Sequence, residues 1–183
     1  VSPAGSVAAL ARLVPAPARQ AETVDWAAVE AAWGTRFPSD YVRFMETYGP
    51  GTFGDTVVVE HPQPDVEGYP GGSGLDEETA NARLTWEAEG DDAGFAVDPQ
   101  DILAWGVTTG ADIYCWVTTD EDPDRWPVLI WGRHTTPAFQ LHPFGMTEFL
   151  RRLCGDAEFR KETVSVVLPE PVQFTGWRGD PDA

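Results

Sequence analysis

At 183 residues, with 42% hydrophobic and 11% aromatic side chains, the chain has the material for one domain with its own core, and wholesale disorder is excluded. Twelve Lys and Arg stand against 30 Asp and Glu, a net charge of −18 that repels nucleic acid and anionic lipid and draws a basic partner. The same field serves solubility alone, or follows from compositional bias, since Lys161 is the only lysine.

Residues 1–22 are rich in Ala and Pro and read as a leader, with one short helix around Ser6 to Leu13 and an extended piece from Val14 to Ala18. The apolar run Val7 to Val14 is broken by Arg12 and has no basic segment before it, which argues against a secretory signal. No window approaches the ~20 apolar residues of a membrane span, and the cytoplasm is the expected compartment. A single domain is expected over 23–168, and an irregular tail over 169–183, where Phe174 and Trp177 are the residues able to dock.

Trp26, Val29 and Trp33 recur at i, i+3 and i+7, and Gly34 follows where a helix needs a left-handed terminal residue. Pro38 then opens a second helix, with Asp40 in its first turn and Tyr41, Phe44, Met45 and Tyr48 on one face before Gly49. After Pro50-Gly51 the β-branched run Thr56 to Glu60 predicts a strand. Residues 61–74, ending Gly71-Gly72-Ser73-Gly74, predict a loop; a phosphate cradle would need a lysine that the tract lacks.

Leu75 to Glu89 predicts a helix with a thin apolar side of Leu75, Thr79, Ala82 and Trp86. Asp76, Glu77, Glu78, Glu87, Glu89, Asp91 and Asp92 oppose a single Arg83, which is first of all the pattern of a solvated helix face. Strands are then expected at Ile102 to Val107, Ile113 to Thr118 and Val128 to Trp131, the last two forming an antiparallel pair, apolar on both sides. The acidic connection Thr119 to Pro127 between them carries Asp120, Glu121, Asp122 and Asp124. Ala138 to Leu141 alternates as a half-exposed strand, and Met146, Phe149, Leu150 and Leu153 mark a closing helix before Gly155. Val164 to Leu168 reads as one more strand. These elements make an α+β domain with a mostly antiparallel sheet of about four to six strands, an N-terminal helix pair and a C-terminal helix packed on it.

Chemistry is hard to find. His61, His134 and His142 are isolated, and Cys115 and Cys154 lack metal-ligand or redox spacing and read as small core residues. With thirty acids, no carboxylate pair singles itself out. No catalytic, metal-binding or cofactor-binding residue is assigned. Trp26, Trp33, Trp116 and Trp131 belong to apolar faces. Trp126 and Trp86, beside acidic residues, are candidate exposed anchors, with packing weighed ahead of partner binding for each.

Trp26-x-x-Val29-Glu30-x-x-Trp33-Gly34-x-x-Phe37-Pro38-x-Asp40-Tyr41-x-x-Phe44-Met45-x-x-Tyr48-Gly49 resembles the opening of the SUKH superfamily, the Smi/Knr-like proteins. Gly110-x-Asp112 before a buried strand, the strand Val128 to Trp131 and Thr147-Glu148-Phe149-Leu150-x-x-Leu153 follow in the family's order, so the likeness spans Val24 to Gly155. Trp33, where an aliphatic residue is usual, Tyr48, where Asn often stands, and the stretch 61–92 depart from it. The resemblance implies helices on an antiparallel sheet and a function by binding. Many bacterial members are similar to immunity proteins, which neutralise a cognate toxin, often a nuclease, by direct contact.

The reading is therefore a non-catalytic, cytoplasmic domain that neutralises a basic protein toxin, with neither nucleic acid nor membrane as partner. Its candidate contact residues are Asp76, Glu77, Glu78, Glu87, Glu89, Asp91, Asp92, Asp120, Glu121, Asp122, Asp124 and Trp126. The alternatives are a regulatory or scaffolding member of the same superfamily, and a hydrolase using acidic residues.

Overall fold

Strands that are apolar on both faces need a layer on each side, and the chain supplies them from different parts of its length. The computed structural model describes residues 3–18, 23–63 and 74–177. The expected tract Gly71 to Ser73, most of the loop around it, and the two chain ends lie outside these residues.

Helices α1 (Pro3–Leu13), α2 (Trp26–Trp33) and α3 (Ser39–Thr47) come first, followed by strands β1 (Gly51–Phe53) and β2 (Val57–Val59). Helix α4 (Gly74–Glu89) leads to β3 (Ile102–Thr108), β4 (Ile113–Val117), β5 (Val128–Trp131) and β6 (Phe139–His142). Helices α5 (Met146–Gly155) and α6 (Ala157–Thr163) and strand β7 (Phe174–Gly176) complete the described chain. The strands form one antiparallel sheet in the order β6-β5-β4-β3-β2-β1-β7.

Alternation along the strands sorts the core. Trp105, Tyr114, Trp116 and Ile130 face α1, α2, α3 and α5, while Ala104, Ile113, Cys115 and Leu129 face α4. The helix pair contributes an aromatic cluster, in which the Tyr41 ring meets Trp116 edge-on at 5.0 Å and Phe37 lies 6.1 Å from it. Gly34 takes the left-handed conformation foreseen for it, with φ 69°.

Three expectations are corrected. The N-terminal segment read as a leader contains a full helix whose Val7 and Leu10, with Val14 after it, are buried, and the Tyr48 hydroxyl donates to the Val14 carbonyl at 2.7 Å. Its apolar periodicity exists to pack against α3 and α5, a contact invisible along the chain. The strand expected at Val164 to Leu168 is irregular: Ser165 is tied instead through its backbone N–H and hydroxyl to the buried Asp112 carboxylate. Within the expected tail, Phe174–Gly176 is a strand on β1, with Phe174 packed on Phe44, Tyr48 and Phe53. Strands β1 and β7, both missed for want of a β-branched run, bring the sheet to seven strands.

Candidate protein-interaction surface

Helix α4 is fixed from beneath, which leaves its acids outside. The Thr79 hydroxyl accepts from the Ala104 N–H at 3.0 Å, the Arg83 guanidinium donates to the Ile102 and Gln100 carbonyls at 3.1 and 3.0 Å, and the Trp86 indole donates to the Val97 carbonyl at 2.9 Å. Asp76 and Glu77 in the first turn are exposed, as are Glu87 and Glu89 in the last turn and Asp91 and Asp92 just beyond. Glu78 is not: it is 8% exposed and turned toward the sheet. Arg83, the helix's one cation, is engaged with carbonyls and, among the described residues, forms no ion pair with the acids beside it. Glu89 accepts from the Trp131 indole at 3.2 Å.

The connection from β4 to β5 is acidic because its turns are built from aspartates. Asp120 accepts from the Asp122 N–H at 2.9 Å, and Asp122 in turn from the Asp124 N–H at 3.2 Å. Arg125 reaches both Asp120 and Asp122, at 3.8 and 3.7 Å, in exposed pairs that add little. Trp126, a candidate exposed anchor, is buried at 3%, its indole donating to the Asp120 carbonyl at 2.7 Å, and Trp86 is buried at 7%. Both rings therefore hold the acidic segments in shape from below. The reason is geometric: the flanking charge that suggests exposure belongs to residues whose side chains point the other way.

Helix α4 and the β4–β5 connection meet at one groove, to which α4 contributes Arg83 and none of its acids. Arg83, Gln100, Thr118, Asp120 and Glu121 line this groove, over Trp33 and Trp126. Glu89 instead lies against Trp131, at the opposite end of β5 from the loop. Of the candidates, Asp120, Glu121 and Trp126 line that groove, and Glu89 lies apart from it.

The acidic loop also holds the helices. Pro38 stands at the N-cap of α3 with no side-chain donor or acceptor to offer, and Asp124 takes its place, accepting from the Ser39 N–H at 2.6 Å and from its hydroxyl at 2.8 Å. Gly145 leaves α5 equally uncapped, and there Asp40 accepts from the Thr147 N–H and hydroxyl, both at 2.9 Å. The Ser6 and Thr147 hydroxyls lie 2.6 Å apart and join α1 to the same corner. Burial pushes the Asp40 carboxyl up, the Thr147 hydrogen bonds and the Tyr41 backbone N–H oppose this, and the nearby Asp124 adds to the rise.

Two buried acids were not legible in the sequence as anything but strand and helix termini. Asp40 was visible only as a first-turn acid, and Glu60 only as the end of a strand. Glu60 is 1% exposed, and burial together with Glu78 pushes its carboxyl up to about 7, against a Gly74 N–H hydrogen bond. The thiols are raised by burial, Cys154 to about 12, so neither is a poised nucleophile. Among the described residues, no group of three His, Cys, Asp or Glu side chains is placed to hold a metal ion, and no helix is long and apolar enough to cross a membrane.

A family model described as SUKH_6, SMI1-KNR4 cell-wall, matches residues 24–150, more than half of the chain. The chain belongs to the SUKH family. The match begins just before the helix pair and ends inside α5, so both acidic segments of this SUKH domain, and the aromatic cluster beneath them, fall within it. Helix α1 and strand β7 lie beyond it on either side. No curated protein and no solved structure matches the chain.

Proposed function

We propose that this SUKH domain is a non-catalytic immunity protein that acts in the cytoplasm and neutralises a basic toxin, of nuclease type, by covering it. The observation that carries the reading is the surface of α4 and the β4–β5 connection: exposed carboxylates on rigid elements, in a chain of net charge −18. A nuclease is basic where it grips phosphate, so such a surface is steered onto it, at rates of up to about 10⁸–10⁹ M⁻¹s⁻¹ at low salt. The groove between Arg83 and Glu121 and the exposed acids of α4 are the contact regions this reading selects.

The test is co-expression with the toxin encoded beside its gene. Rescue of growth and a stable complex in which the toxin's basic face is protected are the expected results. Growth arrest together with the absence of a complex sinks the proposal.

A further inference from the structure

The corner where α3, α5 and the β4–β5 connection meet contains a polar atom that the capping geometry leaves over. Asp40 is 7% exposed; its Oδ2 accepts both Thr147 hydrogen bonds, while its Oδ1 is buried with no partner. A buried carboxylate oxygen without a donor costs stability, so its presence asks for a reason. Asp40 lines a cleft of about 370 Å³ whose walls also include the Asp124 and Glu148 carboxylates and the Trp126 and Phe144 rings. Arg152 is the cation of that wall, and it is already engaged: its Nε donates to Glu148 at 2.8 Å and its guanidinium sits 4.4 Å above the Phe144 ring.

We propose that this cleft receives the guanidinium of an arginine from the protein partner, with Asp40 Oδ1 as the buried acceptor and Asp124 at the mouth. Three observations select that group. The acceptors outnumber the donors on the walls, and the buried Asp40 Oδ1 is unpartnered. The aromatic and proline walls suit a planar, weakly hydrated cation better than a compact, strongly hydrated ammonium. The placement of Arg152 between a carboxylate and an aromatic face shows the same cleft already holding one guanidinium in that manner. The inference rests on the reading of this domain as a partner-binding one and names the group it would anchor.

The experiment uses the full chain, labelled with ¹⁵N and titrated with N-acetyl-arginine amide and, separately, with N-acetyl-citrulline amide, which keeps the shape and lacks the charge. Saturation of the Gly145 and Thr147 amides and the Trp126 indole N–H along one curve is expected with the arginine probe, and binding at least tenfold weaker with citrulline. Asp40→Asn, in which the side-chain carbonyl can keep the Thr147 hydrogen bonds while its amide turns a donor into the cleft, should weaken arginine at least tenfold with the thermal transition retained. Equal shifts with both probes, a non-saturating drift spread over the acidic surface, or unchanged arginine binding in a folded Asp40→Asn protein overturns the proposal. If that variant does not fold, the comparison of the two probes on the unsubstituted chain decides alone. Loss of arginine binding with toxin rescue intact removes the cleft and keeps the function; failed rescue with arginine binding intact does the reverse.

Discussion

Glu60 ends the Val57–Val59 strand and carries its carboxyl inward, where Oε1 has no partner. Burial, reinforced by Glu78, moves the carboxyl from 4.5 to about 7, so between those pH values the native state holds a proton that the unfolded chain has released. Stability is therefore highest below the unfolded value and falls as pH rises through the folded one. Glu60→Gln removes this dependence. Urea unfolding should show the variant more stable than the unsubstituted chain at pH 8, by about 1–3 kcal/mol, with the difference shrinking toward pH 4.5. A difference that stays constant with pH refutes the assignment. At Glu148 the opposite environment acts: hydrogen bonds from Arg151, and then Arg152, hold the carboxyl down at about 2 against its partial burial. Glu60 could not be told from the other acids in the sequence, because its shift depends on burial and on Glu78 from another element, whereas the partners of Glu148 stand three and four residues further along its own helix.

At the scale of elements, two helices of this domain, α3 and α5, are started by their neighbours. Proline and glycine stand at the N-caps of α3 and α5, and aspartates from another element supply the missing acceptors. Local sequence signals for a helix start were thus correct about position and silent about the cap. Strand pairing shows a similar dependence at Gly106, where a Cβ would lie 2.4 Å from the Val58 carbonyl oxygen. Gly106→Ala forces β2 and β3 apart next to a register shift, and should cost about 1–3 kcal/mol in denaturant titration, a value typical of overpacked core positions. A loss below half a kcal/mol would show the strands to be free to separate there. Helix α1 makes the strongest case: removal of residues 1–14 takes Val7, Leu10 and Val14 out of the core and the acceptor from Tyr48. The shortened chain should unfold at least 10 °C lower than the full one, or without a cooperative transition, as read by calorimetry. An unchanged transition would return that segment to the status of a leader.

For the whole molecule, charge is the property that reaches furthest. A net −18 spread over a fixed scaffold acts on association rate more than on the fold, since exposed pairs such as Arg43 and Glu46 contribute little. Reversing Asp76, Glu77 and Glu87 to lysine should slow association with a basic toxin about tenfold or more at low salt and flatten its salt dependence, while dissociation changes less. Reversing Glu89, beside Trp131, together with Asp91 and Asp92 in the turn that follows tests the C-terminal end of α4. Stopped-flow rates across a salt series tell the two apart, and equal rates for both variants and the parent would discard these acids as the contact.

Elements with strong periodicity are written in the order of side chains along the chain. The helix pair, α4, α5 and the buried strands β3 to β5 follow from residues that alternate or recur at helical spacing, because burial on one or two faces is written directly in side-chain polarity. The sequence also carried the family, through aromatic and glycine positions that pack or turn in one order. Features that depend on contacts across the fold emerge with the packed chain alone. The three-residue strands β1 and β7 lack the β-branched run that marks β2, and they form because a neighbour offers an open edge. Trp126 is a floor rather than an anchor because the loop folds its aspartates outward around it. Asp40 faces a cleft because α5 arrives without a cap of its own, and a carboxylate has two oxygens where the cap engages one.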